Sequence, residues 1–240
     1  MTKTFENLLL LGRPASGKSE FMDFMKHVPS NERAQKYHLA QLEELDDFPW
    51  IWEKFMEDNL WEKAGYPRRY STGGSNPGLH PEAGALFDFC MQKFNAEYAK
   101  KYESQPEFFK THTLLTEFAR GGNNAYQKAL NMLSPAMLQR SAILFIYVTY
   151  EESCRRNEAR YQEKLAHSIL AHKVPDHTMQ TFYQTHDWLE WTQEKPDGYV
   201  TANGIKVPFV TMNNMPEITD PALLEQRYGA ALHRLHELRG

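Results

Sequence analysis

Hydrophobic positions along this chain follow two rhythms: short unbroken apolar runs, and longer stretches in which apolar residues recur every three or four positions. The runs Leu8-Leu9-Leu10-Leu11 and Ala142-Ile143-Leu144-Phe145-Ile146-Tyr147-Val148 predict strands buried on both faces. Residues 37–42 predict a weaker second strand, and residues 111–116 a further one. Helical spacing predicts helices over residues 20–26, 49–63, 81–103, 151–161 and 219–238, with a helical connector at 134–139. In the 81–103 stretch Leu86, Phe87, Cys90, Phe94 and Tyr98 recur on one core-facing stripe. Near the carboxyl end, two β-rich runs within residues 198–212 flank Asn203-Gly204, a hairpin signal, and the second run is predicted as the last sheet strand. No repeat, low-complexity tract or linker divides residues 1–240, which therefore read as one α/β domain.

The segment joining the first strand to the first helix is Gly12-Arg13-Pro14-Ala15-Ser16-Gly17-Lys18-Ser19, and it fits G-x-x-x-x-G-K-[ST] at every fixed position. Glycines let the backbone wrap with its N–H groups inward, and the helix start adds positive potential, so a polyphosphate is expected there. Lys18 is expected to reach the outer phosphates, and the Ser19 hydroxyl to ligate magnesium.

In a parallel sheet, residues just past the carboxyl ends of strands line the ligand crevice. Asp46 and Asp47 follow the second predicted strand and are substrate-site candidates, against the plainer reading of an acidic turn or helix cap. Arg68 and Arg69 lie in the glycine- and proline-rich stretch 65–81 and are candidates to hold an anionic acceptor. Glu117, at the tip of the third strand, has the position of a metal-organising or proton-accepting carboxylate, with Arg120 on the same rim. A salt bridge between those two is the structural alternative. After the fourth strand, Arg156 and Arg160 share a helix face with Arg155 flanking, a row suited to a transferring phosphoryl group. Glu152 and Glu158 supply the competing reading of ordinary helix ion pairs. The polar segment to about residue 195 is expected to act as a lid over 151–195. Asn213, at the end of the last strand, is a candidate to contact a nucleotide base. His167, His172 and His177 are spaced five apart, which does not align them on one helical face, so they are not read as a zinc site.

The bulk numbers narrow the partners. Net charge is −4, with 41% hydrophobic and 24% charged residues, and basic residues are interspersed with acidic ones, so no nucleic-acid partner is expected. No apolar run is long enough to cross a bilayer, and two distant cysteines, Cys90 and Cys154, give neither a disulfide framework nor a thiolate metal site. A soluble cytoplasmic protein is expected, with no leader peptide and with a homodimer left open.

Taken in order, the parts resemble the P-loop kinase family in its nucleoside and nucleotide kinase branch. The resemblance is carried by Gly17-Lys18-Ser19, Glu117 with Arg120, the arginines Arg155, Arg156 and Arg160, a lid, and a turn after the last strand. It implies a three-layer α/β/α fold with a five-stranded parallel sheet in the order 2-3-1-4-5 and a helical lid. It also implies transfer of the ATP γ-phosphoryl group to a small acceptor with magnesium, Glu117 serving as base or metal organiser and the lid arginines neutralising charge. Glu117-Phe118-Ala119-Arg120 resembles the Glu-Arg-Ser element of deoxynucleoside kinases, whereas the Asp-Gly-hydrophobic-Pro-Arg signature of adenylate-type kinases is absent, leaving the acceptor open among nucleosides, nucleotides and comparable metabolites. The alternatives are a nucleotide-binding regulator without acceptor chemistry and, further off, a GTPase switch. The switch requires Asp-x-x-Gly and Asn-Lys-x-Asp elements, neither of which occurs here.

Overall fold

The computed structural model describes residues 3–122, 124–165 and 172–240. Its centre is a six-stranded sheet built from β1 (Asn7–Leu11), β2 (Gln41–Asp46), β3 (His112–Phe118), β4 (Ser141–Tyr147), β5 (Asp197–Ala202) and β6 (Ile205–Asn213), in the order β2-β3-β1-β4-β6-β5. Five strands are parallel, in the order expected. The sixth, β5, is the first arm of the Asn203-Gly204 hairpin and adds an antiparallel edge, so the expected count of five is corrected to six.

The four leucines of β1 are fully buried, and their alternation builds two cores. Leu8 and Leu10 face α1 (Lys18–His27) and α10 (Pro221–Arg239), where Phe21 and Tyr228 meet edge to face with centroids 5.1 Å apart. Leu9 and Leu11 face the opposite layer, containing α3 (Phe48–Lys63), α4 (Ala85–Tyr98) and α5 (Ala125–Met132). Each fully buried leucine contributes about 2 kcal/mol of transfer free energy.

The second strand differs from expectation. Residues 30–37 form a helix, α2 (Ser30–Tyr37), ended by His38 in the left-handed region at φ 56°, and the strand begins at Gln41. As the sheet's edge, β2 buries only Leu45 fully, so Gln41, Glu43 and Glu44 face solvent and the apolar signal sits one element too early. The expected helix over 81–103 is a short 3₁₀ turn followed by α4 and one wide turn at Ala99–Glu103.

Register positions the site. Asp46 at the end of β2 lies directly beside Glu117 of β3, and Leu11 of β1 lies between Phe118 and Phe145. The carboxyl ends of β2 and β3 therefore open onto the loop that leaves β1. α6 (Pro135–Gln139) precedes β4, and beyond β4 run α7 (Tyr150–Leu165), α8 (Asp176–Tyr183) and α9 (Trp188–Trp191). Part of the expected lid, residues 166–171, lies outside the described residues, and so does His167 of the histidine series. Among the described residues both cysteines are free, and no helix is long and apolar enough to cross a membrane.

Candidate functional site

The loop from Gly12 to Ser19 curls between the tips of β1, β3 and β4. Gly12 has φ 149°, and a Cβ there would stand 2.5 Å from the Ile146 carbonyl oxygen. Gly17 has φ 109°, and a Cβ there would collide with Asn214 Nδ2. These two positions require glycine because the backbone is both left-handed and closely approached. The turn is pinned by Ser16 N–H donating to the Arg13 carbonyl at 3.2 Å and by the Ser153 hydroxyl donating to the Pro14 carbonyl at 2.6 Å. Ala15 holds φ 53°, a conformation a β-carbon tolerates poorly, and the Ser16 hydroxyl is buried without a partner among the described residues.

Lys18 is buried, and its ammonium donates to the carbonyls of Gly12 at 3.1 Å and Arg13 at 2.8 Å, with Glu117 at 3.8 Å. Burial lowers its pKa, while the carboxylates of Glu117, Asp46 and Asp47 work in the opposite direction. Glu117 is pushed up to about 7, first by burial and then by Asp46 and Asp47, against the pull of Lys18. Asp46 rises to about 6, again chiefly through burial, although its Oδ1 accepts the Phe48 N–H at 3.0 Å. These groups line a cleft of about 140 Å³ together with Ser19, Arg120 and Arg160. Two carboxyl groups with raised pKa values therefore stand beside a buried ammonium at the mouth of the loop.

The remaining sequence candidates are distributed differently. Asp47 also lines the cleft, but it is buried and forms an ion pair with Arg120 at 2.7 Å, so the salt bridge weighed as the structural alternative for Glu117 is made instead by Asp47. The Arg120 guanidinium is further held over the rings of Phe87 and Phe118. The Arg13 side chain leaves the phosphate loop: it donates to the carbonyls of Val148, Tyr183 and Gln184 and meets His186 Nε2 at 3.0 Å. His186 is lowered to about 4 by burial and by that guanidinium, so it meets Arg13 as a neutral ring. Pro14 and Ala15 line the cleft mouth.

Of the three helix arginines, Arg160 alone lines the cleft, and its guanidinium stands 3.6 Å from Glu20. Arg155 is paired with Glu152 and Glu217, and Arg156 with Glu152 at 2.6 Å and the Asn214 carbonyl at 2.7 Å. Arg68 is bound by Glu62, Asn59 and Ser71, and Arg69 projects to solvent while its backbone N–H donates to Asp58. Neither lines the cleft. Asn213 is exposed, whereas its neighbour Asn214 is buried, donates to the Ser16 carbonyl at 2.8 Å and accepts from Arg227 at 2.7 Å. Sequence position alone suited either asparagine. What separates them is the chain's course just past β6, where the Asn214 N–H donates to the Tyr147 carbonyl at 2.9 Å and its side chain meets the phosphate loop. Asp187, unremarked as a cap in the sequence, receives the N–H groups of Tyr126 and Gln127 and anchors the start of α5 behind the cleft.

A parallel β2-β3-β1-β4-β6 order with the G-x-x-x-x-G-K-[ST] loop leaving its central strand is the arrangement of a three-layer α/β/α P-loop fold. No family model matches the chain, and no curated relative does. Solved structures do. An unliganded sugar kinase from Janibacter sp. HTCC2649 is 13% identical with a TM-score of 0.42, covering 95% of this chain and 95% of its own. TT1252 from Thermus thermophilus is 15% identical with a TM-score of 0.44, over 99% of this chain and 100% of its own. Shikimate kinase from Acinetobacter baumannii, in complex with shikimate, is 15% identical with a TM-score of 0.36, over 80% and 78%.

Proposed function

We propose that this protein is a magnesium-dependent phosphotransferase that moves the γ-phosphoryl group of ATP to a hydroxyl of a small acceptor. The observation that carries this reading is the convergence of Lys18, Ser19, Asp46, Glu117 and Arg160 on one cleft at the mouth of the phosphate loop. The loop supplies inward N–H groups and the α1 N-terminus for the phosphate tail. Ser19 and Asp46 offer hard oxygen donors that suit magnesium. Magnesium, when bound, would neutralise phosphate charge.

The chain's own residues then divide the work. Lys18 exchanges its two loop carbonyls for phosphate oxygens, and Arg160 approaches the transferring group from α7. Glu117 takes the proton of the acceptor hydroxyl as that oxygen bonds to the γ-phosphorus. The bond from phosphorus to the bridging oxygen breaks, and ADP leaves with the electron pair. Asp47 holds Arg120 out of this exchange and keeps the rim rigid. Residues 151–195 act as the lid region in this reading.

The test is ADP release from ATP and magnesium across nucleosides, nucleotides, sugars, short acids and simple alcohols. Acceptor-stimulated release that falls by about 10²–10⁴ in Glu117→Gln supports the assignment. Hydrolysis of GTP alone, indifferent to every acceptor, contradicts it.

A further inference from the structure

Arg13 belongs to the phosphate loop, yet it is only 8% exposed and its guanidinium is turned away from the cleft. The guanidinium donates to the carbonyls of Val148 at 2.9 Å, Tyr183 at 3.0 Å and Gln184 at 3.1 Å, and meets the neutral His186 ring at 3.0 Å. None of these four partners is a carboxylate. Burying a cation on neutral acceptors costs free energy that an apolar side chain would avoid. The Tyr183 and Gln184 carbonyls stand at the carboxyl end of α8, where the helix dipole offsets part of that cost. The same stretch also grips the loop after β3. A Cβ at Gly121 would stand 1.9 Å from the Phe182 carbonyl oxygen, and the Gly122 N–H donates to the Thr185 carbonyl at 2.8 Å. Tyr183 itself lines the cleft with Glu117 and Arg120.

The backbone of Arg13 is engaged on the opposite side. Its carbonyl accepts the Ser16 N–H at 3.2 Å and the Lys18 ammonium at 2.8 Å. We infer that Arg13 is a positioning residue that ties the phosphate loop to residues 182–186, so that a phosphate tail seated in the loop also fixes this wall of the cleft. The inference rests on the phosphotransferase reading for the ligand of the loop. Phosphate oxygens that draw the ammonium of Lys18 take a charged donor away from the Arg13 carbonyl, so the change at the loop begins at this residue. Ala15, at φ 53°, holds a conformation that persists only where its surroundings over-determine it. Arg13 on one side and the Ser153 hydroxyl on the Pro14 carbonyl on the other supply that constraint. A planar guanidinium can face several acceptors at once, whereas the compact ammonium of a lysine cannot span them. Order gained by the loop is therefore passed to the end of α8, and from there to Gly121 and Gly122 on the rim. Arg13 touches no reacting atom in this account. It sets where the Tyr183 wall stands relative to the loop that carries the phosphates.

The test is amide hydrogen exchange read by mass spectrometry on the intact protein, with and without saturating magnesium-ATP. In the wild type, ATP should slow exchange at least fivefold both in the loop and in the peptide covering residues 182–187. In Arg13→Met the loop should still be protected by ATP, but the effect on residues 182–187 should fall below twofold, with Arg13→Lys in between. Asn95→Ala serves as a protein loosened elsewhere, since it removes the bonds to the Met132 carbonyl and the Ser134 N–H. It should keep the full ATP effect on residues 182–187, which a general loss of rigidity would not. Protection of those residues that survives in Arg13→Met, or that is lost equally in Asn95→Ala, overturns the inference. The wild type decides even if Arg13→Met fails to fold, because ATP that protects the loop and leaves residues 182–187 unchanged overturns the inference alone. A wild type that takes up no ATP refutes the phosphotransferase reading and the coupling with it.

Discussion

Replacing Glu117 with glutamine should stabilise the protein while disabling it. In the folded chain this carboxyl holds its proton to about pH 7, against an ordinary 4.5, chiefly because it is buried with only 14% of its side chain exposed. Between those values the folded state binds more protons than the unfolded state, so stability falls as pH rises through the window. At about 1.4 kcal/mol per tenfold change in proton equilibrium, the rise from 4.5 to about 7 burdens the folded state by about 3 kcal/mol above pH 7. Glutamine is close in shape and carries no charge, so Glu117→Gln should remove most of that burden at pH 8 and none of it below pH 4.5. For a chain of this size, about 3 kcal/mol corresponds to a Tm increase of about 6–12 °C. Thermal unfolding followed by circular dichroism, wild type against variant across pH 4.5 to 8, measures it. A variant no more stable than the wild type at pH 8, or one whose gain is the same at every pH, would refute the buried-carboxylate reasoning. Strained polar groups of this kind are maintained where function requires them.

Asp47→Asn should destabilise the fold by about 3–5 kcal/mol in urea titration, because it leaves the Arg120 charge buried without its partner 2.7 Å away. Joint replacement of Asp47 and Arg120 by leucine and methionine should recover much of that loss. Asn214→Ala removes the hydrogen bonds to Ser16 and Arg227, and should raise the KM for ATP about fivefold to tenfold, with a smaller change in kcat, in steady-state assays. The kcat/KM for ATP should climb as pH rises through about 7, following ionisation of Glu117, and a profile flat from pH 6 to 8 would remove Glu117 as base.

Much of this architecture is legible in the chain because it is written in strong local signals. Leu8–Leu11 alternates perfectly between two cores, so its unbroken apolar run could only be a central strand. The phosphate loop is equally legible, since its glycines answer to backbone geometry that no other residue accepts. The edge strand β2 is hidden because solvent covers most of it, and its residues Gln41, Glu43 and Glu44 carry no β-sheet signature. The fate of charged side chains is hidden for another reason. Whether Arg13 faces phosphate or the carbonyls at Val148, Tyr183 and Gln184 depends on residues more than 130 positions away. Asp47 with Arg120, and Asn214 with Ser16, are likewise pairings that only the assembled sheet brings together.

Calorimetric titration of magnesium-ATP into the wild type and Lys18→Ala tests most directly whether the loop from Gly12 to Ser19 grips a triphosphate. The wild type should bind, and the variant should bind at least tenfold more weakly with an unchanged circular dichroism spectrum, since it loses the single ammonium that now rests on the loop's own carbonyls. Identical affinities, or a folded wild type that takes up no ATP, would contradict it.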